Sequence, residues 1–412
     1  MHIVVLGAGV VGVATAYYLA QDGHEVTVLE REAAPALGCS YANAGLVNGL
    51  TASPWSAPGI PATVLREFWR DDAPYRVRLR ADLAMAVWIA RFFGNCTAAR
   101  TKEIKKTLRR LSSYNLALLR DIRQREAVTY DCGTSGLMYL YRDTARLNAA
   151  ASAAESDPDL RSRPRRLTSD EAAAVEPALA RARISFAGAL LYDQDETGDA
   201  RLFTQALASE SAANFRFEVE VDSLVVTGDR IAAVDTTAGE RIDADAVVLA
   251  AGTGSARLVA PFGIRLPVYP VKGYSVTVRS RNPDILPRHA LQDAQRKVTL
   301  TPLGDRLRAA GTAELDGHNN RVDRRRADTL FKAMETLLPD LRWTGEPEFW
   351  AGLRPMTPDC MPVIGRTHVD GLWLNTGHGS HGWTLACGSG RVVADLIQGQ
   401  RPEISLDGLG LR

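Results

Sequence analysis

Residues 2–30 read HIVVLGAGVVGVATAYYLAQDGHEVTVLE. Residues 3–6 are a short apolar run, 7–12 a glycine-rich turn, and 13–21 a helix-forming stretch that ends at Asp22-Gly23, a good stop signal. Residues 25–29 form a second strand, which completes a strand–helix–strand unit within roughly 30 residues. Gly7, Gly9 and Gly12 fit G-x-G-x-x-G. Gly7 permits the tight turn, Gly9 lets a pyrophosphate approach the backbone, and Gly12 lets helix and strand pack closely. The N–H groups of Val10 and Val11 open the helix and offer partial positive charge to phosphates. Glu30, followed by Arg31, ends the second strand eighteen residues past Gly12, where an acid accepts hydrogen bonds from ribose hydroxyls. A lone glycine motif is weak; this context favours a dinucleotide over a ligand-free turn.

The chain has 412 residues, too many for one compact core and suited to two domains. Hydrophobic content of 46% and charged content of 24% are those of an ordinary globular protein. A net charge of +1 gives no global field to recruit nucleic acid. Five cysteines, an odd number with no CxxC pair, argue against a disulfide framework or zinc ribbon and for a reducing compartment. The apolar N-terminus lacks a basic leader and a cleavage site, and no run of ~20 apolar residues occurs, so neither signal peptide nor transmembrane helix is expected.

Residues 51–65, rich in Pro and Gly, read as a loop leaving the first domain. Helical patterns run through 82–93 and 102–124, and 135–141 reads as a strand. Thr168 or Ser169 caps a helix, and Gly198 or Asp199 another that runs to about 213. Residues 215–226, which include Val221, and 230–236 alternate as strands around a Gly228-Asp229 turn. An apolar strand over 246–250 ends in Ala250-Ala251-Gly252; a helix spans about 325–338, and the last begins near Trp383-Thr384. The expected fold is α/β: a Rossmann-like dinucleotide domain from 1–50, 196–264 and 350–412, and an α+β, mixed-sheet substrate domain from 51–195 and 265–349. Spacing alone does not separate NAD from FAD. Ser40, Asn43, Ala44, Gly45 and Leu46 follow the ribose acid closely, where a flavin dinucleotide runs on toward its ring, and the 246–252 strand end suits the same cofactor.

Seven stretches together resemble one family: LGAGVVGVATAYYLA, SYANAG, SPWSAPGIP, DQDETGDARLFT, YPVKGYSVTV, FWAGLRPMTPD and LNTGHGSHGWTLACGSG. Their order over nearly the whole chain resembles the FAD-dependent D-amino acid dehydrogenases, within the broader glycine oxidase/sarcosine oxidase group. The resemblance implies that Arg354 grips a substrate carboxylate, a role suited to a forked guanidinium. It implies that Lys272 and Tyr274 lie on a sheet facing the flavin. It also implies that Gly377, Gly379 and Gly382 bring backbone N–H groups to the ring, with the helix start at Trp383-Thr384 behind them. His378 belongs to that pattern. Sarcosine oxidase relatives carry a covalent flavin on a cysteine where this chain has Gly352, so non-covalent FAD is expected.

The reaction so implied is oxidation of a D-amino acid to an imino acid, with hydride passing from Cα to flavin N5, followed by hydrolysis to a 2-oxo acid and ammonia. Electrons then pass to a quinone or other respiratory carrier. Close relatives carry Leu where this chain has His381, and many carry Tyr where it has Arg296. These departures favour a polar or acidic substrate side chain, or a ring such as hydroxyproline. A metal at His378 and His381 is not expected, because no further ligand stands at usable spacing. Residues 66–110 hold twelve Lys/Arg against five Asp/Glu, with Trp69, Trp88, Phe92 and Phe93 interleaved. That composition suits either solvated helix faces or contact with an anionic membrane, giving a cytoplasmic protein with a peripheral place on the inner face of the cell membrane. Two other functions stay open: an oxidase of glycine, sarcosine or another secondary or cyclic amino acid, and a non-catalytic flavin subunit of a complex. A carboxylate clamp at Arg354 argues against the second.

Overall fold

The computed structural model describes residues 1–412 except 68, 69, 71, 72, 79 and 161. Among the described residues a six-stranded sheet runs in the order Val363–Arg366, Leu372–Thr376, Ala246–Leu249, His2–Leu6, Glu25–Leu29, Asn214–Arg216. The first strand is parallel to both neighbours, pairing Val4 with Val247 on one side and Thr27 on the other. Both sheet faces are covered, which is why these strands are continuous apolar runs. On one face Ile3 and Val5 pack with helices Val10–Gln21, Ala98–Arg125, Ala200–Glu210 and Gly382–Ile397. On the other, Val4 and Leu6 pack with the three-stranded sheet built from Val221–Thr227, Arg230–Thr236 and Arg241–Asp243. Glycines fit the first and last helices together. A Cβ on Gly390 would stand 2.9 Å from the backbone of Ala14 and Thr15.

A nine-stranded mixed sheet forms the second body. At one end of it lie three antiparallel strands, Trp343–Met356, Tyr269–Ser280 and Arg306–Leu315. One face is a dry core under the helix Arg324–Leu337, with Tyr274, Val276, Val278, Leu307 and Ala309 beneath Leu330 and Met334. The other face meets the dinucleotide body.

Several expectations shift. The helix Ala98–Arg125 buries Ile104, Leu108 and Leu111 in the dinucleotide core, although 51–195 was expected mainly with the substrate domain. The strand carrying Arg354 stays bonded to Tyr269–Ser280 through Met356, so the expected break after 349 cuts a continuous ladder. Residues 60–67 form an amphipathic helix, not loop, and Thr144–Glu155 is a helix the periodicity did not reveal. The expected 215–226 strand is two strands in different sheets, Asn214–Arg216 and Val221–Thr227, separated by Glu218 at φ 59°.

The basic 66–110 stretch is partly neutralised from elsewhere in the chain. Arg78 pairs with Glu314 and with Asp323 at 2.8 Å, and Arg80 Nη1 stands 3.7 Å from Asp316. Trp88 and Phe92 are buried, and Trp69 lies outside the described residues. No helix among the described residues is long and apolar enough to cross a membrane.

Candidate active site

The dinucleotide turn is held from three sides. Gly7, at φ 103°, places its Cα where a Cβ would meet Ala250 O at 2.8 Å, and a Cβ on Gly12 would meet Gly7 O at 1.9 Å. Both glycines are demanded by the protein's own packing. Gly9 is not: its added Cβ would meet only Ser40 Oγ, at 3.5 Å. The room above Gly9 therefore suits a phosphate, and the residues present fit a dinucleotide. Ser40 Oγ accepts from Val10 N at 3.1 Å. Glu30 accepts from Ala8 N at 2.7 Å and Glu32 N at 3.0 Å, which ties the acid to the turn. Arg31 is exposed and lies beside Glu32. Val219 N donates to Glu30 O at 2.9 Å, and two residues on Val221 O accepts from Arg257 at 3.0 Å. Both valine side chains are partly buried against the same core cluster.

The 42–44 segment is fastened to the nine-stranded sheet. Three consecutive carbonyls each accept from a different strand: Ala42 O from Ser275 Oγ at 2.7 Å, Asn43 O from Arg308 Nη1 at 3.1 Å, and Ala44 O from Thr301 Oγ1 at 2.7 Å. Asn43 Oδ1 accepts from Gly45 N at 2.9 Å, and Thr384 Oγ1 donates to Leu46 O at 3.2 Å. Ala250, Ala251 and Gly252 close one wall, with Gly252 at φ 55°. Gly377 and Gly379 also have positive φ, and Gly382 begins the last helix. That helix follows directly on the turn 379–381 and has no side-chain cap on its first N–H groups. Trp383 turns its ring inward, against Phe203 and Tyr130, and contributes backbone only.

Arg354 lies on the face of the nine-stranded sheet opposite the dry core. It pairs in register with Val271, and Gly273 pairs with Gly352 next to it. This glycine pair leaves a bare floor. A Cβ on Gly273 would stand 2.3 Å from both terminal nitrogens of Arg354, and one on Gly352 2.0 Å from the Trp350 ring. The guanidinium lies 5.1 Å from the centre of the Trp55 ring and donates from Nη1 to Thr312 O at 3.0 Å. Among the described residues no carboxylate pairs with it. Desolvation by its surroundings lowers its pKa, slightly opposed by the nearby Cys39 thiol. A half-buried cation with unused donors is costly until an anion arrives.

Other expected site residues stand elsewhere. Lys272 and Tyr274 do not face the cofactor side. Strand alternation points them to the face away from Arg354, where Lys272 Nζ meets Asp316 at 3.0 Å and Tyr274 donates to Glu314 at 2.6 Å. Arg296 is exposed in the turn between Ala290–Asp293 and Val298–Leu303, and its side chain makes no ion pair among the described residues. His378 is buried against Ser389 at 3.0 Å, with its pKa pushed down to about 3 by desolvation. His381 is buried near Ser380 and Ser53, pushed down to about 4 by desolvation. It is a neutral ring at physiological pH and offers no charge to an acidic side chain.

Sequence reading missed Gly273, Trp55, Thr312 and the three donors to the 42–44 carbonyls. The one signal was the alternation in VKGYS, which marks Gly273 and Ser275 as one face. The Trp55 ring that Arg354 faces also lines a cavity of about 60 Å³. Trp55, Ile60, Val64, Trp88, Phe92 and Val271 line it, and Arg76 is the one charged residue in its walls among the described residues.

Comparison with known proteins agrees with this geometry. Residues 2–396 match the family model described as DAO, FAD dependent oxidoreductase. The chain is 42% identical over 412 residues to a D-amino acid dehydrogenase of Bradyrhizobium diazoefficiens, covering 99% of this chain and 98% of that one. It is 45% identical over 417 residues to a D-amino acid dehydrogenase of Cereibacter sphaeroides, covering 100% and 95%. Among solved structures it is similar to glycine oxidase from Geobacillus kaustophilus, with TM-score 0.77, 25% identity and coverage of 100% and 98%. With its two-body architecture and a glycine turn that leaves room for a pyrophosphate, the chain belongs to the DAO family of FAD dependent oxidoreductases.

Proposed function

We propose that the protein is an FAD-dependent D-amino acid dehydrogenase that converts its substrate to the imino acid, which water then hydrolyses to a 2-oxo acid and ammonia. The observation that carries this reading is Arg354: a partly buried guanidinium without a carboxylate partner among the described residues, over a glycine floor beside the 42–44 segment. FAD, when bound, supplies the two-electron acceptor. The chain's part is to bind, orient and desolvate. Arg354 keeps one donor on Thr312 O and presents the others to the substrate carboxylate, which fixes where Cα lies. Among the expected catalytic residues, no charged base faces this place. His381 is neutral, and Lys272 and Tyr274 are engaged on the far face. The substrate amine therefore gives up its ammonium proton to solvent before oxidation. Gly352 under the Trp350 ring leaves no space for a cysteine tether, which supports dissociable FAD.

The apolar cavity lined by Trp55 takes the substrate side chain, which replaces the polar or acidic side chain expected from His381 and Arg296. A small-molecule substrate and an electron acceptor follow from the family chemistry. We assign the acceptor role to a quinone, reached at a membrane surface where Leu65, Leu83 and Val87 are exposed close to Arg66 and Arg91. The test is anaerobic bleaching of the flavin over a panel of D- and L-amino acids. D-leucine or D-methionine should bleach faster than D-glutamate; bleaching by L-amino acids alone, or by none, overturns the reading. The likeness to glycine oxidase favours a second reading, an oxidase of glycine or a secondary amine. Stoichiometric peroxide on reoxidation in air would select it.

A further inference from the structure

The face of the nine-stranded sheet away from Arg354 holds a buried ionic cluster that the reaction does not use. Lys272 and Glu314 are 1% and 0% exposed. Lys272 Nζ lies 3.0 Å from Asp316 and 3.9 Å from Glu314. Glu314 also accepts from Tyr274 OH at 2.6 Å and from Arg78, and Arg78 reaches Asp323 at 2.8 Å. Burying three ionised groups, Lys272, Glu314 and Asp316, is costly and by itself weak evidence of stabilisation.

The cluster brackets a bulge. Lys272 pairs with Glu314, but Tyr274 pairs with Gly311, so two residues on Arg306–Leu315 oppose one on Tyr269–Ser280. The extra length falls at Thr312 and Ala313. Thr312 has φ 62°, a region that a β-branched side chain avoids, and its hydroxyl is buried with no partner among the described residues. Nothing local favours that conformation. Its effect is to turn the Thr312 carbonyl toward Arg354 Nη1, at 3.0 Å, the one hydrogen bond that guanidinium makes among the described residues.

Resting on the carboxylate-anchor reading of Arg354, we infer that Lys272, Glu314 and Tyr274 are positioning residues. They clamp both sides of the bulge from behind, hold Thr312 in its unfavourable backbone state, and so set the plane in which Arg354 meets the carboxylate. This gives Lys272 and Tyr274 of the VKGY motif a role although their side chains lie on the face away from the pocket. Strain persists where surrounding structure over-determines it, and here the over-determining contacts are these ion pairs.

The test uses the FAD-loaded full chain, with benzoate as a plain carboxylate probe read by the flavin visible spectrum and, in parallel, turnover of the best D-amino acid. Lys272→Met should weaken benzoate and raise KM about tenfold while leaving kcat within about threefold, the size expected for coupled neighbours. Tyr274→Phe, which deletes only the hydrogen bond to Glu314, should weaken benzoate roughly two- to fivefold, so the inference stays testable if Lys272→Met does not fold. Thr312→Gly accepts the positive φ without strain and, added to either variant, should restore most of the lost affinity. Arg142→Met breaks an ion pair with Asp293, three strands away from Tyr269–Ser280 in the same sheet, and should leave KM unchanged. Folded, FAD-bound variants that bind benzoate as wild type does, or a loss that Thr312→Gly does not rescue, overturn the inference. Failure of wild type to bind any carboxylate would instead overturn the anchor reading.

Discussion

Gly273→Ala is the sharpest test of the site, because one methyl group separates the anchor's geometry from the fold. The new Cβ would stand 2.3 Å from Nη1 and Nη2 of Arg354 and 2.4 Å from Cζ. An ordinary contact needs about 3.4 Å or more, so the guanidinium must move by more than about 1 Å. It can do so, since it is the far end of a flexible side chain and no ion pair among the described residues pins it. Folding should therefore change little. The anchor cannot absorb the shift: a misplacement of about 1 Å costs on the order of 100-fold in rate, or about 2.7 kcal/mol. Losing one charge-assisted hydrogen bond, worth about 1.5–3 kcal/mol, gives a similar figure. The assay is anaerobic flavin reduction by the best D-amino acid, alongside FAD content and thermal unfolding. We expect kcat/KM down about 100-fold, full FAD occupancy and a melting temperature within about 2 °C of wild type. A Gly273→Ala enzyme within threefold of wild type would refute the placement of the carboxylate on Arg354.

Gly9→Ala meets only Ser40 Oγ in the protein, so the FAD-free chain should be as stable as wild type while FAD affinity, read by fluorescence titration, falls at least tenfold. Gly390→Ala should do the reverse, lowering the stability of the FAD-free chain by about 1–3 kcal/mol in denaturant titration, because backbone of Ala14 and Thr15 lies where the methyl must go. His378 and His381 are pushed down to about 3 and about 4, so below about pH 6.5 the unfolded chain binds protons that the folded chain refuses. Stability should fall as pH drops from 6.5 toward 4, by up to about 1.4 kcal/mol per pH unit for each ring, and His381→Leu should make the slope shallower.

What could be read from residues alone was local. The strand–turn–helix at 3–21 is legible because the turn's glycines and the apolar periodicities lie within a few residues of each other, and hydrogen-bond geometry there depends on near neighbours. The same holds for Glu30 at the end of its strand and for the helix that starts at Gly382. Arg354 was legible only through the resemblance, since a lone arginine between prolines carries no signal of its own. The tertiary structure decided which way side chains point. VKGYS alternates whichever face is inward, and only pairing with Arg306–Leu315 and Trp343–Met356 puts Gly273 and Ser275 toward the cofactor body and Lys272 and Tyr274 away from it. The bulge at Thr312 shifts a register and the chain changes sheets around Glu218, and both are relations between distant segments. Charge behaves likewise: the basic 66–110 stretch is partly matched by Glu314, Asp316 and Asp323, roughly 240 residues away. Local chemistry chose the cofactor turn, and long-range pairing left Arg354, among the described residues, bonded to the Thr312 carbonyl and to no carboxylate.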